Sequence, residues 1–278
     1  MGSEGHRAMK LGILIHASRP EPAEFARRLA EAAESRGHTV VGDETTARIL
    51  ARRVEEGDPE VIVASGGDGT VLAAVQRALV LDVPVLAFNL GTIGFLADAE
   101  PEDLEIVLDA LGSGQLIERR RMTIRAVLGD GVEAVGVNDV VVEKIESQRL
   151  VALDVQIDGE SFLVYRADGL VVATSTGSTA YNFSAGGPLV DPEVEALLLT
   201  PVAPHSLFNR TLVLPTTARI RITVAADRPV RVSIDGVEAG ELSQDGHVEV
   251  FCDNRSVRFL TLDPSSFPAT VKRKFKLM

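Results

Sequence analysis

Val61-Ile-Val-Ala-Ser-Gly-Gly-Asp-Gly-Thr70 decides how this chain is read. Val61 to Ala64 form a short apolar run suited to a buried strand, and Thr70 opens a helix-like run from Val71 through Leu81. The glycines therefore fall at a strand-to-helix turn. Such a turn aims backbone N–H groups at a ligand, and the helix start behind it carries partial positive charge suited to phosphate. Gly66, Gly67 and Gly69 can take positive φ and let a ligand approach the backbone. Asp68 is the odd member. A plain connection in a dinucleotide-type fold has no need of an acid between glycines. A carboxylate among phosphate-facing amides repels an anion unless a metal intervenes or the carboxylate itself takes a proton from an attacking hydroxyl.

The commoner phosphate loops are built otherwise. The stretch lacks the Lys of G-x-x-x-x-G-K-[ST], and Leu72 stands where a G-x-G-x-x-G begun at Gly67 would place its last glycine. Working outward, the 278 residues, 45% hydrophobic and 24% charged, suit one large or two ordinary domains with real cores. A net charge of −12 argues against nucleic acid or an anionic membrane as the main partner, because both are held by basic surfaces. Cys252 is the only cysteine, which excludes an intrachain disulfide and makes a reducing cytoplasm the economical expectation. Cysteine-held zinc or iron–sulfur sites are excluded on the same ground. The longest apolar run, Ala78 to Leu90, is broken by Asp82 and Pro84 and falls short of the ~20 residues of a membrane span. Residues Met1 to Ala8 lack the apolar centre of a signal peptide; Met9-Lys-Leu-Gly reads as a natural start, so the leader is left out of the expected fold.

In chain order, apolar and helical segments alternate. A strand from Leu11 to His16 precedes an Ala-rich helix with Phe25, Leu29 and Ala33 on one face and Gly37 as its stop. A strand at Thr39 to Val41, a helix from Thr45 to Glu56, the Val61 strand, the Val71 helix, a strand from Pro84 to Phe88 and a helix from Pro101 to Leu111 follow. This β/α alternation implies a parallel sheet covered by helices, with ligands at the carboxyl ends of the strands. Asn89 to Asp98 forms a second glycine-containing loop leaving by the same kind of exit as the Asp68 turn. After Gly112-Ser-Gly the pattern changes to apolar alternation with turn pairs at Asp130-Gly, Asp158-Gly, Asp168-Gly and Asp235-Gly, read as hairpin signals. The expected organisation is an α/β domain over 9–115, a mainly antiparallel, sandwich-like β domain over 119–251, and a segment over 252–278 packing back on the first. The basic tail Lys272, Arg273, Lys274 and Lys276 reads as a solvated end, with phosphate binding as the alternative. His16, ending the first strand, reads as structural.

Tyr165 to Pro188 is too dense in hydroxyls and glycines for plain sheet. Leu170 to Thr174 suits a buried strand, after which Thr176, Ser178, Thr179, Tyr181 and Ser184 offer donors and acceptors, and Gly177, Gly186 and Gly187 permit close approach. Such an inventory suits a ribose, an adenine and phosphates, or it is a loop and nothing more.

The Gly-Gly-Asp-Gly-Thr string resembles a signature shared by NAD kinases, by diacylglycerol and sphingosine lipid kinases and, less closely, by phosphofructokinases. The block from Asp168 through Pro188, with Asn138-Asp139 before a Val run, resembles the NAD kinase family in particular, and the likeness runs from about Met9 to the C-terminus. That resemblance implies a kinase acting on the adenosine ribose 2′-hydroxyl of NAD, with ATP or another donor, Mg²⁺ or another divalent cation, and a homodimer or homotetramer. It implies Asp68 as proton acceptor, with Gly69 beside it at the nucleotide. It further implies NAD contacts from Asn138, Asp139, Arg149, Arg166, Asp168, Thr179, Ala180, Tyr181, Asn182, Phe183 and Ser184. The amides of Gly66, Gly67 and Gly69 would hold phosphate. Guanidinium groups suit pyrophosphate and acids suit ribose hydroxyls, which agrees in kind. The sequence departs from the family pattern at Ser175, at Thr211 after Arg210, and at Val237, which is left out of the site because it cannot make a polar contact. The expected site lies between the two domains. A lipid or sugar kinase sharing the Asp68 loop and a non-catalytic NAD sensor are the alternatives.

Overall fold

A computed structural model of the chain describes residues 7–15, 20–91, 94–146, 149–262 and 266–277. His16 lies outside the described residues. The chain divides into two compact units, one of Met1–Arg120 with Val257–Met278 and the other of Arg121–Ser256.

The first unit runs β1 (Lys10–Ile15), α1 (Pro20–Ser35), β2 (Thr39–Val41), α2 (Glu44–Leu50), β3 (Val61–Gly66), α3 (Asp68–Leu81), β4 (Val85–Asn89) and α4 (Leu104–Ser113). The strands lie in the order β2-β1-β3-β4, and all three of their pairings are parallel. Five of the six side chains' residues in β1 are at least partly buried and all of β3 and β4 is buried, which is why these strands read as continuous apolar runs instead of alternating ones. Phe25, Leu29 and Ala33 of α1 pack with Val107, Leu108 and Leu111 of α4 on Leu11, Val63 and Phe88.

The ends of the second helix and of the leader depart from the sequence reading. The helix expected over Thr45 to Glu56 stops at Leu50, because Ala51 turns left-handed (φ 54°) and returns its N–H to Ala47 and Arg48. Beyond it, Glu55 bridges to Val41 and accepts the N–H of Gly42, so the expected last turn is extended chain beside β2. The excluded leader also gives way at its end. Arg7 donates its backbone N–H to Gly112 and its guanidinium pairs with Glu60 at 2.6 Å.

The second unit takes in the end of β5 (Ile117–Leu128), then β6 (Glu133–Gly136), β7 (Asp139–Lys144), β8 (Val151–Ile157), β9 (Glu160–Ala167), β10 (Gly169–Thr174), a 3₁₀ turn over Thr176–Thr179 and the single-turn α5 (Tyr181–Ser184). After these come β11 (Leu197–Val202), β12 (Leu212–Leu214), β13 (Arg219–Val224), β14 (Val230–Ile234), β15 (Val237–Leu242) and β16 (His247–Thr261), whose last residues belong to the first unit. There Phe259 and Leu260 pair in parallel with β4, and α6 (Phe267–Lys274) follows.

One sheet of the second unit joins β16, β13, β8 and β9 antiparallel; the other has the order β12-β11-β10-β7-β14-β15. Their inner faces share one core that includes Ile124, Val140, Val142, Leu153, Tyr165, Leu170, Val172, Ile222 and Val232, so the unit is a β-sandwich. Asp158-Gly159 and Asp235-Gly236 take positive φ at both residues, the geometry of a two-residue hairpin turn. Asp168-Gly169 does not make a hairpin. β9 and β10 belong to different sheets, and the pair carries the chain from one layer to the other.

Candidate functional site

Asp68 is the first residue of α3, not a loop residue, and Gly67 is its N-cap with extended backbone at φ −87°. Among Gly66, Gly67 and Gly69 none uses the positive φ open to glycine. Gly66 is required for space: a Cβ there would stand 2.4 Å from Oγ1 of Thr70. A Cβ at Gly67 or Gly69 would meet nothing within 4 Å, so the turn is open to a ligand there. Asp68 and Gly69 begin α3 ahead of Thr70, whose N–H goes to the Gly67 carbonyl at 2.9 Å, so the positive end of the helix dipole lies at that opening.

The Asp68 carboxylate is held by the second loop. Phe95 donates its N–H to Oδ2 at 3.2 Å and Leu96 donates to Oδ1 at 3.4 Å. Gly94 is packed so closely that a Cβ would lie 2.6 Å from Oδ1. Asn89, at the end of β4, accepts the N–H of Gly91 at 3.1 Å and donates to Glu100, which shapes the start of this loop. Burial raises the Asp68 pKa, opposed by the two N–H donors and by the charge of Lys274. Lys272, Arg273 and Lys276 are exposed, as the reading of the tail as a solvated end requires, and Lys274 alone departs from it. It is only 9% exposed, and its Nζ donates to the carbonyl of Ala97 at 3.3 Å. Phe275 beside it stacks on Phe95 with ring centroids 5.6 Å apart.

In the second unit Asn138 and Asp139 are both buried at the start of β7. The Thr174 hydroxyl donates to Val137 O at 2.5 Å and accepts the N–H of Gly177 at 3.1 Å, while Thr174 N donates to Asn138 O at 2.8 Å. Gly177 is forced by this closeness, since its Cβ would lie 2.0 Å from Asn138 O. The end of β10 is thus locked to the Asn138–Asp139 pair. Asp139 accepts the N–H of Tyr181, and its pKa is raised to about 7 by burial first and by the neighbouring charge of Asp235 second. Burial and the charges of Glu143, Asp168 and Asp139 raise Tyr181, so these groups surround one phenol. Asp168 forms an ion pair with Lys144.

Asn138, Asp139, Asp168 and Tyr181 are therefore brought together, with Thr179, Ala180, Phe183 and Ser184 around the same short helix. Tyr181, Phe183 and Ser184 are exposed. Asn182 is fully buried. Its Nδ2 donates to Ser178 O at 3.1 Å and Pro188 O at 3.0 Å, and its Oδ1 accepts from Thr200 at 2.6 Å, so its amide is used inside the fold. Ser178 exchanges hydrogen bonds with Val190. Arg149 and Arg166 are exposed. The Thr176 hydroxyl is buried with no hydrogen-bond partner among the described residues, an unmet polar group in the densest part of the constellation. Sequence reasoning missed Lys274, the Phe95 and Leu96 amides, Lys144 and Asp235; their partners are distant along the chain, and nothing local announces them.

An open glycine turn at the dipole end of a helix suits a phosphate, and an acid beside it suits a proton transfer. A polar constellation of carboxylates, hydroxyls and a phenol on a β-sandwich belongs with a nucleotide. Fold and site together define a nucleotide-directed kinase. Comparison with known proteins gives the family. The model for the ATP-NAD kinase N-terminal domain matches residues 11–116, and that for the C-terminal domain matches residues 137–262. The chain belongs to the NAD kinase family, and it is an enzyme that phosphorylates NAD. It is 34% identical over 96% of its length to the whole of an NAD kinase of Thermococcus sibiricus. It is 36% identical over 98% of its length to an NAD kinase 2 of Streptomyces avermitilis, covering 95% of that protein. Its structure is similar to that of yeast NADH kinase complexed with NADH, with a TM-score of 0.89 and 26% identity, over 97% of this chain and 88% of that one. An NAD kinase from Archaeoglobus fulgidus in complex with ATP shares the fold at a TM-score of 0.73 and 24% identity, covering 97% of both chains. Both family domains occur in order along the chain, which sets aside the lipid-kinase, sugar-kinase and sensor alternatives.

Proposed function

We propose that Asp68 is the proton acceptor of the NAD kinase reaction. The oxygen of the adenosine ribose 2′-hydroxyl attacks the terminal phosphorus of the donor, the bond to the bridging oxygen breaks, and the hydroxyl proton passes to the Asp68 carboxylate. The observation that carries this reading is a half-buried carboxylate at the start of α3, held by the amides of Phe95 and Leu96 and with its pKa raised by desolvation. The raised pKa makes it a better base than a solvated carboxylate. Amides at the Gly66, Gly67 and Gly69 turn hold donor phosphate. Asn138, Asp139 and Asp168 accept from NAD hydroxyls, Arg149 and Arg166 meet its pyrophosphate, and Thr179, Ala180, Tyr181, Phe183 and Ser184 line its base and ribose.

Among the described residues no three His, Cys, Asp or Glu side chains come together as metal ligands. Mg²⁺ would enter with its nucleotide and would supply neutralisation of phosphate charge there. The donor is then read through its phosphates. Asp139 and the turn around Tyr181 are committed to the acceptor, and with the donor held by its phosphates other nucleoside triphosphates and polyphosphate serve as well. The same reading takes the active species as a homodimer or homotetramer in the cytoplasm. The exposed apolar side chains Phe162, Val164, Leu207 and Phe208 of the second unit support an assembly; among the described residues no helix is long and apolar enough to cross a membrane.

The test is to supply NAD or NADH with Mg²⁺ and ATP, GTP, CTP or polyphosphate and to measure NADP or NADPH formation. The expected result is turnover with every triphosphate. A preference for ATP of about 10³-fold or more would require a dedicated adenine pocket and would defeat the donor claim.

A further inference from the structure

One carboxylate outside the groups so far assigned organises the Asn138–Asp139 pair. Asp235 sits in the turn between β14 and β15 at φ 49°. Its Oδ2 accepts the N–H of Val137 at 2.8 Å, and its Oδ1 accepts the N–H of Asn138 at 2.8 Å and that of Asp139 at 3.2 Å. Its own N–H donates to Asp139 O at 3.0 Å. Three successive amides of one strand start thus converge on a side chain of another hairpin. A hairpin turn of this type needs only a residue tolerant of positive φ, which Asn or Gly supplies without charge. The carboxylate is therefore in excess of what the turn demands.

We propose that Asp235 is a positioning residue for NAD binding, which fixes the backbone of the Asn138–Asp139 pair and, by its charge, ties the affinity for NAD to pH. The inference rests on the reading that Asn138 and Asp139 hold NAD. The Asp139 carboxylate is buried, and the Asp235 charge is the second cause, after burial, of a pKa near 7. The opposing influence is the N–H of Tyr181 from α5. Around the Tyr181 phenol stand Glu143 of β7 and Asp168, itself paired with Lys144. The stretch of β10 paired with β7, Leu170 to Ala173, carries no titratable side chain. As a carboxylate Asp139 can accept from ribose hydroxyls at both oxygens; protonated, it loses part of that capacity. Affinity for NAD should therefore fall as pH drops through the range where Asp139 takes up its proton.

The experiment is calorimetric titration of NAD into the full chain from about pH 5.5 to about pH 8.5, for the wild type and three variants. Wild-type affinity should weaken on the acid side of a midpoint near 7. Asp139→Asn should weaken binding and abolish the dependence on pH. Asp235→Asn, which keeps a residue suited to positive φ, should move the midpoint down by about one unit, because a like charge next to Asp139 is gone. It should also raise KM for NAD by about tenfold while kcat at saturating NAD changes by less than about threefold. Asp235→Gly preserves the turn should the Asn variant fail to fold, and it should show the same shift. A wild-type profile flat across this range overturns the proposal. So does an unmoved midpoint in a folded Asp235 variant when Asp139→Asn still removes the dependence. An Asp139→Asn protein that binds NAD as the wild type does would instead sink the NAD-holding reading on which the proposal rests.

Discussion

Asp68 combines two demands that compete. Burial disfavours its charged form, yet the amides of Phe95 and Leu96 and the Lys274 charge keep enough of that form available to take a proton. Asp68→Asn should lower kcat by about 10²-fold or more while NAD still binds, because the amide fills the same space but accepts no proton. Wild-type turnover should fall in acid, above the ordinary carboxylate range of about 4, as the base is neutralised. The stability consequence has the opposite sign. With the folded pKa raised, the contribution of Asp68 to stability is full below its unfolded pKa and is lost as pH rises through its folded value. The melting temperature of Asp68→Asn relative to the wild type should therefore climb between about pH 4 and about pH 8. Thermal melts across that range would contradict the assignment if the difference fell. The choice of Asp68 was legible in the sequence because an acid among three glycines is chemically odd. Its partners were not, since backbone amides 27 and 28 positions away carry no residue-type signature.

Elements were legible where their pattern was local. The apolar runs of β3 and β4 and the helix behind Gly66 stood out by composition, whereas the stop of α2 at Ala51 did not, because a left-handed alanine looks like any other alanine. Asp168-Gly169 misled for a related reason: a dipeptide suited to a hairpin also suits a crossing between layers, and only the pairing of β10 with β7 and β11 separates the two. The turn around α5 is held by a residue that the sequence placed in the binding set. Asn182 ties Ser178, Pro188 and Thr200 into one frame, and a Cβ at Gly187 would strike its Oδ1 at 2.1 Å. Asn182→Ala would strip buried partners from two carbonyls and a hydroxyl, a loss of about 1–3 kcal/mol. Tyr181 and its amide ride on this frame. The variant should melt several degrees lower and raise KM for NAD, with kcat at saturating NAD changed less. Unchanged stability in Asn182→Ala would return the residue to a purely ligand-facing role.

At the scale of the whole molecule, the switch from β/α alternation to close-set hairpin signals after Gly112 announced two kinds of architecture. The return of the chain to the first unit at Val257 places Lys274 where a reading of charge along the sequence would not look. Net charge adds a constraint of its own. A chain of −12 that turns over two anionic substrates gains from a counter-ion that arrives with the donor. A cation that arrives with the donor, as proposed, leaves folding independent of a bound ion while turnover depends on it. These dependences can be separated by one chelator experiment. A resident metal contributes its binding free energy to the folded state, and its removal lowers the melting temperature. A metal carried by the nucleotide contributes nothing until the nucleotide binds. Excess EDTA should therefore abolish NADP formation, leave the melting temperature of the ligand-free protein within about 1 °C, and cancel the stabilisation that ATP with Mg²⁺ confers. Added Mg²⁺ should restore turnover at once, without refolding. A drop of several degrees in the ligand-free protein on chelation would instead mean that the chain holds a structural ion, and the assignment of the cation to the donor would fail.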